Sequence, residues 1–357
     1  NGLVRSPGGY LGEDIDVLYD FIHSGKEENR PYNNRTVRDT EMANNLDRIT
    51  GDYNDFWAGR DYLNEMGSMK AALLMSHGFN DWNVMPEHSF RISMKAKEMG
   101  LPVQIYYHQA GHGGPPPIAM MNKWFTKYLH GVDNKVEEDP RAWIVREGDK
   151  QGDPTPYADY PNPAAKNVML YPSKGGQKAG GLSFKKVKKV KETLIDDVSY
   201  DGKTLAMADE SNNRLLYVTP TLKEDLHLSG LSEIKISLAS SKPAANLSVW
   251  LVSLPWQEEG RIYDNIITRG WADPQNHKSL TESSPLKPGQ FYDLSFNLQP
   301  DDHIVPAGQQ IGLMIFSSDK EFTLHPEEGT ELIIDLSKTS ISLPVVGGKA
   351  SLEKAMK

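Results

Sequence analysis

The sequence has 357 residues, enough for two or three domains with sizeable cores, and its apolar and charged fractions are those of an ordinary folded protein. The net charge of −9 argues against nucleic acid or an anionic membrane as a partner, and no apolar run approaches the roughly 18 residues of a membrane span. The absence of cysteine excludes disulfides, a thiol nucleophile and cysteine-ligated zinc, and it fits a reducing compartment such as the cytoplasm, which is the expected location.

The first 66 residues contain three segments in which apolar residues recur at helical spacing. These positions are Ile15, Leu18, Tyr19 and Ile22, then Met42, Leu46 and Ile49, then Phe56, Trp57 and Leu63. We therefore expect helices joined by loops over residues 10–66. The sequence begins at Asn1 without an initiator methionine or a signal peptide, and we expect it to be the C-terminal portion of a longer protein.

Residues 70–131 combine two short apolar runs with two helical segments. Residues 71–76 and 102–108 have the character of buried parallel strands, and each is followed by a loop and then a helix. The first helix is expected to begin at Pro86, and the second to end near Gly131. This strand–helix–strand–helix order predicts a parallel sheet.

The rest of the chain is rich in turn residues and short strands. Residues 132–165 contain many Pro, Gly, Asp and Asn residues, which is typical of a linker. The clearest predicted strands beyond it are 167–171, 214–218, 234–238, 247–252, 310–316 and 331–336. The predicted fold class is α/β plus all-β, with an α/β domain over residues 1–150 and a jelly-roll β-sandwich over residues 166–357.

Two loops of the α/β part contain residues suited to catalysis. Asp81 follows the first predicted strand, and His112 follows the second. Because sites in open α/β sheets form at the carboxyl ends of strands, we expect these residues to meet at one edge. An α/β-hydrolase presents its triad acid and base in this chain order, and the carboxylate orients an imidazole that moves the proton of a serine. Each residue alone has an ordinary structural explanation, so the prediction rests on their matched positions.

The serine of such a triad is missing from this sequence. A nucleophile elbow has the pattern Gly-x-Ser-x-Gly, which does not occur among the 357 residues. Ser6 and Ser76 lack the full flanking pattern, because neither has a glycine two residues before it, and Ser76 lies in the same segment as Asp81. We therefore expect the nucleophile to precede Asn1, and we expect this polypeptide alone to be inactive.

Several motifs resemble segments of the bacterial Xaa-Pro dipeptidyl-peptidases, which are serine peptidases of the cocaine-esterase-like α/β-hydrolase group. They are residues 1–14 (NGLVRSPGGYLGED), 51–57 (GDYNDFW), 77–84 (HGFNDWNV), 269–271 (RGW), 288–290 (PGQ) and 303–308 (HIVPAG). The resemblance implies the C-terminal part of an α/β-hydrolase domain with a helical insertion, followed by a jelly-roll domain. It also implies that Asp81 and His112 are the triad acid and base of an enzyme that releases Xaa-Pro dipeptides through an acyl-enzyme.

The resemblance further implies how a substrate is held. Glu13 and Asn83 correspond to residues that bind the free N-terminal ammonium, and a buried cation needs such a carboxylate and side-chain carbonyl as partners. Trp82 and Val84 are candidates for lining a proline-sized pocket, although a role in the core is equally open for both. His77 is expected to serve the structure of the strand end.

The partners implied by the resemblance are a peptide with a free N-terminus and proline at position two, the missing N-terminal portion of the enzyme, and a second copy in a homodimer. No cofactor and no metal are expected, because the sequence has no clear metal-ligand spacing and no phosphate-binding glycine loop. The basic run of residues 185–191 is interpreted as a solvated edge strand, whose lysines block pairing with other strands.

Two other functions remain open at this point. A cocaine-esterase-like acyl hydrolase would use the same fold and the same Asp-His pair, but it would not need Glu13 with Asn83. The β-sandwich is alternatively a binding module, and Trp250, Trp256 and Trp271 would favour sugar stacking if they were exposed together on one face.

Overall fold

A computed structural model describes residues 26–47, 50–150, 152–259, 262–320 and 322–357. The α-helices are α1 (Arg30–Asn33), α2 (Ala43–Asn45), α3 (Asp55–Ala58), α4 (Pro86–Glu98), α5 (Ile118–His130), α6 (Gly202–Met207), α7 (Ile262–Asn265) and α8 (Gly348–Ala355). A π-helical segment (Asn34–Met42) joins α1 to α2, and short 3-10 helices span Glu27–Asn29, Tyr62–Ser68, Val136–Glu138, Pro274–Asn276 and Leu336–Lys338. Within these ranges, no helix is both long and apolar enough to cross a membrane.

The strands form two separate sheets. The first sheet contains β1 (Leu73–Gly78), β2 (Val103–His108), β3 (Ala142–Ile144) and β4 (Thr155–Tyr157). The second contains β5 (Ala165–Pro172), β6 (Gly180–Ser183), β7 (Lys191–Ile195), β8 (Arg214–Val218), β9 (Leu226–Gly230), β10 (Glu233–Ser240), β11 (Leu247–Leu254), β12 (Ile266–Ala272), β13 (Phe291–Asn297), β14 (Asp301–Val305), β15 (Gln310–Phe316), β16 (Glu331–Asp335) and β17 (Ser340–Val346).

The segment before the first sheet is helical where it is described. The apolar side chains of Met42, Leu46 and Phe56 form a small buried cluster. Asn54 caps α3, because its side-chain oxygen accepts hydrogen bonds from the main-chain N–H groups of the first turn. The predicted helix of residues 15–22 lies outside the described residues, as does Glu13.

The first sheet has the predicted parallel centre and two further strands. β1 pairs with β2 and β2 pairs with β3 in parallel, whereas β3 and β4 are antiparallel. The helix after β1 begins at Pro86 as expected, and α5 ends at Gly131, whose backbone is left-handed with φ 68°. The segment predicted as a linker, residues 132–165, therefore contributes β3 and β4 to this sheet. Its abundant turn residues lie in the connections around these two three-residue strands.

The second part is a β-sandwich whose central strands are covered on both faces. All eight residues of β11 are buried, and alternate side chains enter two different cores. Val249 and Leu251 pack into the large core between the layers, whereas Trp250 and Val252 pack into a second cluster beside α6. This double coverage explains why β11 is a nearly continuous apolar run rather than an alternating one.

The basic run ahead of β7 differs from the predicted edge strand. Residues 185–190 are irregular, and β7 begins only at Lys191. Val187 and Val190 pack against the sandwich core, and Lys189 has a left-handed backbone with φ 54°, which an extended strand does not allow. The lysines of this run therefore belong to an anchored loop, and the edge strand follows it.

The two central strands of the first sheet come unusually close where they end. Gly78 is the last residue of β1, and an added Cβ there would lie 2.2 Å from the carbonyl oxygen of Ala110 and 2.4 Å from that of Gly111. Both obstacles are main-chain atoms, which cannot rotate away as a side chain does. Glycine at position 78 is therefore what allows the loop after β2 to lie directly against the end of β1.

We expect Gly78→Ala to destabilise the protein by about 1–3 kcal/mol, the usual cost of overpacking. Gly67→Ala is the matched control, because a Cβ at position 67 meets no atom within 4 Å, and it should change stability by less than about 0.5 kcal/mol. Urea unfolding followed by tryptophan fluorescence measures both. Equal unfolding midpoints for the two variants would contradict the importance of this close approach.

Candidate active site

The two loops predicted to carry the chemistry leave the sheet side by side. β1 and β2 are parallel, and their register pairs Gly78 with His108, so that the two strands end together. The loop of residues 79–85 and the loop of residues 109–117 therefore start at the same edge of the sheet. This edge, outside the carboxyl ends of the strands, is where ligands bind in open α/β folds.

Asp81 and His112 meet across these loops. Nδ1 of His112 lies 2.9 Å from Oδ2 of Asp81, and Nδ1 is the donor because an ionised carboxylate only accepts. The Asp81 side chain is 5% exposed, whereas that of His112 is 65% exposed. The pair thus has a buried carboxylate that holds one ring nitrogen, and Nε2 is left for a group arriving from solvent.

The second carboxylate oxygen of Asp81 is fixed by its own loop. Oδ1 accepts hydrogen bonds from the main-chain N–H groups of Asn83 (3.1 Å) and Val84 (3.0 Å). An aspartate that accepts from the amides two and three residues later stabilises a tight turn. The turn and the contact to His112 use different oxygens, so the local fold of the loop sets the direction in which Oδ2 points.

Two further histidines, His77 and His108, border the pair. Nε2 of His77 donates to the carbonyl oxygen of Val84 at 2.7 Å and lies 3.6 Å from Oδ2 of Asp81. Nδ1 of His108 accepts from the N–H of Ala110 at 3.2 Å. Burial lowers the pKa of each imidazole below its usual range, which is the direction expected for structural histidines.

Hydrogen bonds also join the two loops to each other. Nδ2 of the Asn80 side chain donates to the carbonyl oxygen of Gln109 at 2.9 Å, and the main-chain N–H of Asn80 donates to the carbonyl oxygen of Ala110 at 3.3 Å. The hydroxyl of Ser76 donates to the carbonyl oxygen of Gly114 at 3.0 Å. These hydrogen bonds connect the two loops, and the Ser76 hydroxyl contributes one of them.

The residues expected to bind substrate are only partly brought together. Asn83 and Val84 are exposed beside Asp81, and Val84 is 40% exposed. Glu13 lies outside the described residues, so its convergence with Asn83 stays a prediction. Trp82 lies between Asp81 and Asn83 in the loop but contacts the β-sandwich.

The contacts of Trp82 are with a cation and two aromatic rings. The guanidinium carbon of Arg269 lies 3.7 Å from the centre of the Trp82 ring. Trp271 and Phe322 meet the same ring in edge-on geometry, with centroid distances of 6.4 and 6.2 Å. Of the two roles left open for Trp82, the structure therefore favours the packing role over lining a pocket for proline.

The tryptophans of the β-sandwich do not form an exposed stacking face. Trp250 is buried, and its Nε1 donates to Oδ2 of Asp319, which also accepts from Nε1 of Trp271, each at 2.9 Å. Trp256 is partly buried against the cluster around Trp250. The described part of the chain also contains no group of three or more acidic or histidine side chains arranged to hold a metal ion.

Two residues near the site were not singled out from the sequence. Gln109 is buried ahead of the glycine loop, and Arg269 is buried in β12. The position of Gln109 beside the loop of His112 is only a weak sequence signal that it contacts another part of the fold. Arg269 belongs to the Arg-Gly-Trp motif at 269–271, but its contact with Trp82 joins segments that are far apart in sequence.

Comparisons with known proteins agree with this architecture. Residues 1–114 match the family described as X-Pro dipeptidyl-peptidase (S15 family). Residues 134–354 match the family described as the X-Pro dipeptidyl-peptidase C-terminal non-catalytic domain. A putative Xaa-Pro dipeptidyl-peptidase of Rhodopirellula baltica is 59% identical over 357 residues, which cover 99% of this chain and 57% of that protein. The chain thus spans little more than half of the length of this relative.

Solved structures show the same fold at low sequence identity. An aminopeptidase from a marine sediment Thaumarchaeota archaeon superposes with a TM-score of 0.68 at 15% identity, covering 96% of this chain and 65% of that one. An α-amino acid ester hydrolase superposes with a TM-score of 0.67 at 15% identity, covering 96% of this chain and 66% of that one. The predicted combination of a hydrolase domain and a β-sandwich is confirmed, whereas the jelly-roll topology stays a prediction. By the family matches, which cover both parts of the sequence, this chain belongs to the X-Pro dipeptidyl-peptidase family.

Proposed function

We propose that this chain is the C-terminal part of a serine exopeptidase that releases Xaa-Pro dipeptides from the N-termini of peptides. In this proposal it contributes the acid and the base of the triad, Asp81 and His112. The observation that carries it is the 2.9 Å contact between a buried carboxylate and an exposed imidazole at the carboxyl ends of adjacent parallel strands. The family match supports the proposed substrate class.

The geometry of the pair suits proton transfer during acyl transfer. Nε2 of His112 takes the proton of a serine hydroxyl as the serine oxygen attacks the carbonyl carbon of the proline residue. The same nitrogen then returns that proton to the leaving amine, and the acyl-enzyme remains. Water then attacks the acyl carbon and gives a proton to Nε2, and Nε2 returns that proton to the serine oxygen as the dipeptide is released. Asp81 keeps the proton on Nδ1 throughout and stabilises the imidazolium.

The nucleophile is assigned to a portion of the enzyme that is absent from this chain. Two surfaces support such a partner. β1 is the terminal strand of the first sheet in the described part of the chain, and its side chains from Leu73 to His77 are only partly buried. α5 exposes Ile118, Phe125 and Leu129, which are 81%, 47% and 72% exposed. An open parallel strand with an apolar helix beside it is a surface that a further strand and its helix would cover.

The substrate's free amine is assigned to Glu13 and Asn83. Asn83 is exposed next to Asp81, and its main-chain N–H is bonded to that carboxylate, so its position relative to His112 is fixed. A pocket that binds an ammonium at a set distance from the base selects the second peptide bond of a chain. This is the property that distinguishes a dipeptidyl-peptidase from a general hydrolase.

A second candidate is an acyl hydrolase that cleaves esters. The Asp-His pair suits ester and amide substrates equally, and a solved structure with the same fold is an α-amino acid ester hydrolase. The dependence of each substrate on the proposed ammonium site separates the two candidates. A homodimer, which the resemblance also implied, stays a prediction.

The isolated chain should give no turnover of an Ala-Pro chromogenic amide. Acyl transfer needs a nucleophile and an oxyanion hole in addition to the base, and one oxyanion donor in this fold follows the nucleophilic serine. Adding the serine-bearing portion should restore activity that His112→Ala abolishes. Turnover by the isolated chain that His112→Ala removes would place a nucleophile within these residues and overturn this division.

In the enzyme joined with that portion, Asp81→Asn should lower kcat by about 10³–10⁴-fold. The asparagine oxygen can keep the bonds that Oδ1 accepts from Asn83 and Val84, and the amide nitrogen then faces His112 and imposes the wrong tautomer. Asp133→Asn is the control, because the Asp133 side chain is 82% exposed. Steady-state kinetics measure kcat for both variants. A decrease of less than about tenfold in kcat for Asp81→Asn would contradict the assignment of Asp81 to the triad.

Glu13→Ala should lower kcat/KM on Xaa-Pro amides by a factor that corresponds to a loss of about 2–4 kcal/mol of transition-state stabilisation. This is the scale for removing the partner of a buried charge. Asn83→Ala should act in the same direction. A small ester without an amino group should be hydrolysed almost as well as by the parent enzyme, because it places no cation in the site. Equal losses on both substrates would refute the ammonium site and favour the esterase.

A further inference from the structure

The β-sandwich contacts the loop that carries His112. Gln109 lies three residues before His112 and is 8% exposed, and its Nε2 donates to the main-chain carbonyl oxygen of Asp302 at 2.7 Å. Asp302 belongs to β14, on the other side of the boundary between the two parts. A buried amide that donates to a main-chain atom fixes the loop more narrowly than an exposed contact would.

The accepting carbonyl is itself held firmly. Asp302 is fully buried and pairs with Ser229 of β9. Its Oδ1 accepts from the hydroxyl of Tyr157 at 3.0 Å and lies 2.9 Å from Nε2 of His227. Tyr157 is in β4 of the hydrolase sheet, so its bond to Asp302 joins the hydrolase part to the β-sandwich. The anchor for Gln109 is therefore a paired strand rather than a surface loop.

The sandwich also contacts the loop that carries Asp81, through a different interaction. Arg269 of β12 is 2% exposed, and its guanidinium lies over the Trp82 ring at 3.7 Å. The same guanidinium lies 4.6 Å from the ring centre of Phe322 and 4.8 Å from that of Trp250. Cation–π contacts are strongest where water is excluded. Among the described residues the buried Nε1 of Trp82 has no hydrogen-bond partner, and the ring is held there by packing and by its contact with this guanidinium.

We propose that the β-sandwich positions the acid and the base relative to each other. This inference rests on the proposed function. Gln109, held by β14, fixes the loop of His112, and Arg269, through Trp82, fixes the loop of Asp81. None of the three touches the reacting atoms, so they are positioning residues. Because a displacement of about 1 Å costs on the order of 100-fold in rate, even a modest loosening of either loop lowers kcat.

A matched pair of glutamines tests the first contact in the enzyme joined with its serine-bearing portion. Gln104 lies on β2, is 3% exposed, and donates its Nε2 to the carbonyl oxygen of Pro140 at 3.2 Å within the hydrolase part. Gln104→Leu and Gln109→Leu each remove one buried side-chain hydrogen bond and should lower Tm similarly. Gln109→Leu alone should lower kcat at least about tenfold with KM within about twofold. Equal effects on kcat would overturn the proposal.

A second measurement uses the 357-residue chain and needs no catalysis. Arg269→Lys removes the planar group over Trp82 and should accelerate amide hydrogen exchange over residues 79–84 about tenfold or more. Arg214→Lys is the control, because Arg214 is a buried arginine of the same sandwich whose guanidinium binds carbonyls of Leu205 and Gly176. Unchanged exchange in Arg269→Lys, or equal acceleration in both variants, would reject the positioning role. If the joined enzyme cleaves no Xaa-Pro amide, the proposed function fails, and the exchange result still decides whether the sandwich holds the loop.

Discussion

The site depends on how a buried carboxylate is held. Asp81 is almost completely removed from water, and an ionised carboxylate in that position needs hydrogen-bond donors. Its two oxygens divide the task, because the turn amides bind Oδ1 and His112 binds Oδ2. The imidazole is thus one of the groups that compensate the burial. The folding of the loop and the orientation of the His112 ring follow from the same requirement.

This requirement constrains the sheet beneath. Asp81 reaches His112 only because β1 and β2 end in register and because Gly78 lets the second loop lie against the first strand. The bond from Asn80 to the carbonyl oxygen of Gln109 then joins the loops laterally. Both contacts involve main-chain atoms of the second loop, so backbone geometry contributes to setting the separation between Asp81 and His112.

Much of this arrangement was predictable from the sequence because it depends on local order. The alternation of strands and helices placed Asp81 and His112 at one edge, and the glycine after α5 marked the end of that helix. The orientation of Trp82 was not predictable, since it is decided by Arg269, which lies in another part of the fold. Likewise β3 and β4 are too short to show periodicity within a segment dominated by turn residues.

The basic run of residues 185–191 shows how far charge patterning alone can predict local structure. Charge patterning indicated a solvated edge, and β7 does form an end of its sheet. The lysines nevertheless precede the strand, because Val187 and Val190 pack inward and Lys189 has a left-handed backbone. A pattern of charges identifies which side of a segment faces water, but the backbone conformation is decided by which apolar neighbours reach the core.

The two parts of the chain differ in how completely they bury their own apolar surface, and this difference fits the proposed division of labour. The sandwich encloses two buried cores, whereas the first sheet has a half-buried terminal strand and α5 exposes large apolar side chains. The sandwich contacts the hydrolase part at the loops of Asp81 and His112 and along β4, and β1 is the terminal strand of the first sheet among the described residues. A serine-bearing portion that adds to that edge would find acid and base already aligned from the other side. Its docking would then need to place only the nucleophile and the oxyanion donors, because the cost of orienting the imidazole has been met during folding.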